Sequence, residues 1–147
     1  MRLALVICPQ WSIETPSFAI GSLKSHIKNK NTFVKQFDLN VESSLYVKEI
    51  DKDLFYDWGN DKPWNSKRTF VNNVLPILKD FWDSRIEELV KYDVVCFTTY
   101  TSNIMATDYI ARYLKERNKK IQIWYGGPHS WYSDCGGLVE DGKYREF

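Results

Sequence analysis

The sequence predicts a doubly wound α/β domain with a mainly parallel sheet, and three observations carry that prediction. Short continuous apolar runs, "LALVIC" (3–8) and "DVVCFTTY" (93–100), suit strands buried on both faces. Between such runs, apolar residues recur every three or four positions, the period of amphipathic helices. The order strand, helix, strand, helices, strand, helix, strand is the one that parallel crossovers generate.

Each element has its own signal. The run at 3–8 is stopped by Pro9 and reads as a central strand. In "SFAIGSLKSHIKN" Phe18, Ile20, Leu23 and Ile27 form one apolar helical stripe, and Asn29 to Asn31 end it. "FVKQFDL" is a second strand, and its mixed face of Phe33, Lys35 and Phe37 predicts an edge position. Two helical stretches, about 44–55 and 68–91, flank a polar connector (56–68) that carries Gly59 and Pro63. Pro76 within the second predicts a kink, unless the helix begins near it. Trp58 and Trp64 bracket the connector and are expected to pack it onto the domain. After the third strand, "TSNIMATDYIARYLKERN" lines Ile104, Thr107, Ala111 and Leu114 on one face, with basic residues near its C-terminus to complement the helix dipole. "KIQIWYGG" (120–127) is the fourth strand.

Composition bounds the partners. The 147 residues, 44% hydrophobic and 16% aromatic, suffice for one domain (1–147) that hides roughly 70% of its unfolded surface. The formal charge of +1 provides no broad field for nucleic acid or an anionic membrane. No apolar run approaches the roughly 20 residues of a membrane span, and no signal-peptide pattern follows Arg2, so a soluble, cytoplasmic protein is expected. Cys8, Cys96 and Cys135 are odd in number and scattered, without metal-binding spacing. Cys8 and Cys96 are expected to be buried hydrophobes, and Cys135 a loop thiol.

In open parallel sheets, ligands settle at the carboxyl ends of the strands. Attention therefore falls on "PQWSIETPS" (9–17), "TTYTSN" (98–103) and "GGPHSW" (126–131). Pro9 and Pro16 pre-set the first loop, while Trp11 offers it a flat apolar surface and Ser12 a hydroxyl. Thr98, Thr99, Thr101, Ser102 and Asn103 give the second loop more polar groups than one helix cap uses. Gly126 and Gly127, lacking a Cβ, let the backbone of the third come close to something, either a ligand or simply its own turn.

Together, "LALVICPQW", "SIETPSFAIGSLKSHIK", "FDLN", "VVCFTTYTSN" and "IQIWYGGPH" resemble the N-terminal cobalamin (B12)-binding domain of the B12-dependent radical SAM proteins. The likeness covers about residues 1–42 and 92–131. It implies a flavodoxin-like (Rossmann-like) sheet with cobalamin above its carboxyl end and the nucleotide tail in a groove between strands and helices. The DxHxxG motif that supplies a cobalt-ligating histidine in other cobalamin proteins is absent, so the resemblance implies no protein ligand to cobalt. His26 is expected on a helix surface. By position, Thr98 stands where the family often has serine, and Gly126, Gly127, Pro128 and His129 stand in its GGPH turn. The cofactor set implied is Pro9, Trp11, Ser12, Thr98, Thr99, Ser102, Gly126, Gly127, Pro128 and His129, with His129 a hydrogen-bonding residue.

The likeness has departures. "PSFAI" (16–20) keeps only the first proline of the family's PPLGL-like helix opening. The chain stops at "GGLVEDGKYREF" (136–147), before the fifth strand and GEGE-type turn of the family, and contains no CxxxCxxC. It thus resembles the N-terminal piece of a longer enzyme, in which a radical SAM domain would provide the [4Fe-4S] cluster, S-adenosylmethionine and methyltransferase-like chemistry. The chain itself carries no catalytic machinery: GxSxG, GxxxxGK[ST] and GxGxxG are missing. Asp38, at the end of a strand where acids can bind ribose, lacks that glycine fingerprint, and Glu87 and Glu88 read as solvated. The alternative is a flavodoxin-like interaction or regulatory domain without cofactor. An open groove lined by Thr98, Thr99 and Gly126 separates the two readings from one filled by Trp11, Trp124 or Trp131.

Overall fold

The computed structural model describes residues 1–15, 17–27, 31–51 and 58–128; Pro16, His129, Trp131, Cys135 and the expected truncation at 136–147 lie outside them. Four strands form the sheet: β1 (Arg2–Ile7), β2 (Phe33–Asp38), β3 (Val94–Thr98) and β4 (Gln122–Gly126). Their order is β2-β1-β3-β4 and every pairing is parallel. This is the order of a flavodoxin-like sheet over four strands.

Position in the sheet explains the burial of each strand. β1 has neighbours on both sides and is buried from Leu3 to Ile7, as a continuous apolar run requires. β2 is an edge strand, as its mixed pattern predicts, and alternates between exposed and half-buried residues before Phe37. β4 is the other edge, with Ile123 and Tyr125 half-buried and Trp124 56% exposed.

The crossovers place helices on both faces of the sheet. Ile20 of α1 (Phe18–His26) packs on Leu3, Leu5, Ile7 and Val94. The opposite face, bearing Ala4, Val6, Val95 and Phe97, is covered by α2 (Leu39–Ile50), α4 (Leu75–Leu89) and α5 (Ile104–Arg117), while the short α3 (Lys62–Asn65) brings Trp64 into the same core. Among the described residues α1 is the only helix on its face. The expected apolar stripe of α1 is accordingly only partly buried: Ile20 is 4% exposed, but Phe18 is 85% and Leu23 49% exposed.

Two helical expectations shift. α2 begins at Leu39 rather than near 44, because Asp38 ends β2 and caps the helix at once, its Oδ1 accepting from the Val41 amide at 3.0 Å. Asn40, Ser43 and Ser44 obscure this start by being polar yet buried. The kink expected at Pro76 takes another form. A helical turn (Lys67–Thr69) leads into a π-helical segment (Phe70–Val74), and α4 restarts with Pro76 in its first turn. There the missing proline N–H leaves no internal bond unmade. Trp58 and Trp64 are 2% and 0% exposed and meet edge to face at 5.1 Å, so they pack the connector as expected.

Candidate functional site at the carboxyl edge of the sheet

Two buried asparagines fasten the first and second carboxyl-end loops, and Thr99 joins the second to the third. Asn40 Oδ1 accepts from the Trp11 amide at 3.0 Å and from Trp58 Nε1 at 3.2 Å, while its Nδ2 donates to the Ser12 carbonyl at 3.3 Å. Asn103 Nδ2 donates to the Thr98 carbonyl at 3.0 Å and to that of Cys8 at 3.4 Å, and its Oδ1 accepts from the Tyr100 amide at 2.8 Å. A buried carbonyl or amide must find such a partner or cost stability. Neither asparagine was singled out in the sequence as a fastener, since one lies inside a predicted strand-to-helix junction and the other reads as a cap.

Several residues expected to face a cofactor serve this internal fastening. Thr99 is 1% exposed and donates from Oγ1 to the Gly126 carbonyl at 2.9 Å. Ser102 Oγ donates to the Gln10 carbonyl at 2.8 Å. Pro9 is buried. Trp11, at the 36% level of exposure, stacks on Tyr100 with ring centroids 4.3 Å apart, bridging the first and second loops. Ser12 and Pro128 are exposed.

The glycine pair divides into two roles. Gly127 has φ +107, and a Cβ there would lie 2.7 Å from the Thr99 carbonyl oxygen. Its lack of a side chain lets this turn pack against β3. A Cβ on Gly126 would meet nothing within 4 Å. Gly126 opens instead onto a groove of about 520 Å³ between α1 and the β3–β4 half of the sheet.

Phe18, Ala19, Ser22 and Leu23 form the helical wall of this groove, and Cys96, Thr98, Trp124 and Gly126 lie along the strand side. Among the described residues α1 lies mainly over β1 and β2, leaving the groove over β3 and β4. Cys96 and Trp124 are partners in the β3–β4 register, so a half-buried thiol sits beside an exposed indole. Trp124 flanks the groove rather than filling it, and Trp11 is engaged with Tyr100. Among the described residues no charged side chain lines the groove. Trp124 is expected from the sequence only as a candidate filler of the groove, and Phe18 and Leu23 only as part of a helical stripe; the exposure of a residue on a helical or strand pattern depends on what covers that face, which the pattern does not record.

The thiols of this edge are not activated. Burial pushes the Cys8 thiol up to about 12, against a lesser opposing effect of a hydrogen bond with Thr107. Burial raises the Cys96 thiol as well. A thiol shifted upward is a poor nucleophile at neutral pH. Among the described residues no three His, Cys, Asp or Glu side chains gather as a metal site. His26 is exposed, with Nδ1 2.8 Å from the Ser22 carbonyl oxygen of its own helix, as expected of a surface residue. Asp38 is a helix cap. Glu87 pairs with Arg117, and Glu88 with Lys35, so these two acids are held in surface ion pairs rather than simply solvated. Among the described residues no helix is long and apolar enough to cross a membrane. No protein-family model matches this chain, and neither a curated protein nor a solved structure is significantly similar to it.

Proposed function

We propose that the chain is a cobalamin-binding module, as its resemblance to the B12-binding domains of radical SAM proteins suggests, and that the groove between α1 and β3–β4 receives the nucleotide tail. The observation that carries this reading is an open apolar groove at the carboxyl edge of a parallel sheet, where ligands of this fold class settle. Its volume, about 520 Å³, is within the range of small-molecule sites. Trp124 on one side and Phe18 and Leu23 on the other supply apolar surface for the aromatic base, while Ser22 and Thr98 supply hydroxyls. These described residues would suit the base of the tail through apolar contact and hydroxyl bonding.

When bound, cobalamin supplies a cobalt centre able to carry a methyl group. The protein residues orient and shield: Asn40 and Asn103 hold the loops beneath the corrin in one arrangement, and Trp11 on Tyr100 gives them an apolar upper surface. Catalysis with S-adenosylmethionine and a [4Fe-4S] cluster belongs, on this reading, to a radical SAM domain outside the present sequence.

A second reading has one observation in its favour. Phe18, Leu23 and Trp124 are all about half exposed or more and lie along one groove, which suits a docking surface for another protein. Titration with methylcobalamin separates the two. Displacement of the base from cobalt changes the visible spectrum, and the cofactor reading predicts a saturable change that Gly126→Trp abolishes and Gly126→Ala preserves. An unchanged spectrum up to about millimolar cofactor, equivalent to only about 4 kcal/mol of binding, favours the docking surface.

A further inference from the structure

The opposite face of the molecule holds a second cleft that the cofactor reading does not use. One wall is a stripe of α5 that includes Met105, Asp108, Tyr109 and Tyr113; Phe70 and Val71 of the π-helical segment form part of the other. The cleft measures about 300 Å³, at the lower end of small-molecule sites. π-helical turns are frequent beside functional sites.

Its polar content is specific. The Asp108 side chain is only 9% exposed, and Arg112 Nε approaches its Oδ2 at 2.9 Å. Oδ1 is buried without a hydrogen-bond partner. Such an oxygen is satisfied by an N–H donor arriving from a ligand. Lys67 and Glu116 also line the cleft, so two bases and two acids balance there. A cation would meet Arg112 and Lys67, and an anion Asp108 and Glu116; a neutral ligand meets neither penalty. Phe70, Tyr109 and Tyr113 provide faces and edges for a flat ring.

We propose that this cleft binds a neutral planar heterocycle of nucleobase size, with a ring N–H directed to Asp108 Oδ1. Oδ1 has almost no exposed surface, so a ligand reaches it only when the side chains around it shift.

Two xanthines that differ at one nitrogen test the donor. Theophylline has a ring N–H, and caffeine carries a methyl group in its place. Titrating each into the isotope-labelled full chain at pH 7 and following amide resonances should move residues 70–75 and 105–116 with theophylline, saturating in the millimolar range. Caffeine should bind about tenfold more weakly, the worth of one hydrogen bond to a charged group. Val71→Trp, at a position 45% exposed on the wall, should abolish the theophylline shifts while leaving the remaining spectrum folded. Equal binding of the two xanthines, shifts confined to other residues, persistence of the shifts in Val71→Trp, or no shifts up to about 10 mM ligand would overturn the proposal. The cleft lies across the sheet from the α1 groove, so either result leaves the cobalamin titration to be judged by itself.

Discussion

Gly126 and Gly127 are adjacent and chemically identical, yet the structure asks opposite things of them. Gly127→Ala places a methyl group on a left-handed residue and against the Thr99 carbonyl, and should destabilise the fold by about 2 kcal/mol or more in urea unfolding. Gly126→Ala has open space and should change stability by less than about 0.5 kcal/mol. The sequence announced a backbone approach at this pair without telling which partner it approaches: for Gly127 the partner is the chain itself. Cys8 gives a second residue-scale test. Its folded thiol is shifted up to about 12 from an ordinary value of 9.0, chiefly by burial, so above pH 9 the unfolded chain loses a proton that the folded chain keeps. Below about pH 9 the thiol adds no pH dependence; between about 9 and 12 wild type should lose stability relative to Cys8→Ala. Parallel denaturation curves for the two proteins across pH 8 to 11 read that difference directly.

At the scale of elements, the strands and α5 were legible because burial on both faces, or on one helical stripe, writes a period into the sequence. Apolar runs at 3–8 and 93–100 became β1 and β3 within two residues at each end. α2 was less legible because its inward face carries Asn40, Ser43 and Ser44, whose burial is made tolerable by specific bonds, including Trp82 Nε1 donating to Ser43 Oγ at 2.9 Å. Polar residues that face inward defeat a reading based on apolar spacing. The same is true of the loop fasteners. Asn103→Ala should cost about 3 kcal/mol, since it strips bonds from two buried carbonyls and an amide, and should loosen the loop after β3 in hydrogen exchange at Tyr100. A loss below about 0.5 kcal/mol would show that water replaces these bonds without penalty.

The whole molecule follows from handedness. With β1 central and crossovers expected to be right-handed, α1 falls on one face and α2, α4 and α5 on the other among the described residues. The order of elements in the sequence contains this asymmetry, so the fold class could be read before the structure. Its consequence, an apolar groove over β3–β4 among the described residues, could not, because it depends on side chains from α1 and β4 meeting in space. The candidate loops lie at the carboxyl ends, but the hydroxyls of Thr99 and Ser102 turn inward, and the groove's walls come largely from Phe18, Leu23 and Trp124. Cys96 lies inside that groove and reports on its occupancy. The most direct test is the alkylation rate of Cys96 in a Cys135→Ser background at about pH 9, measured alone, with methylcobalamin, and with cobinamide, which lacks the nucleotide tail. A tail seated against Trp124 predicts that methylcobalamin slows alkylation about tenfold or more while cobinamide leaves it nearly unchanged. An alkylation rate indifferent to saturating methylcobalamin would contradict the assignment of this groove to the cofactor.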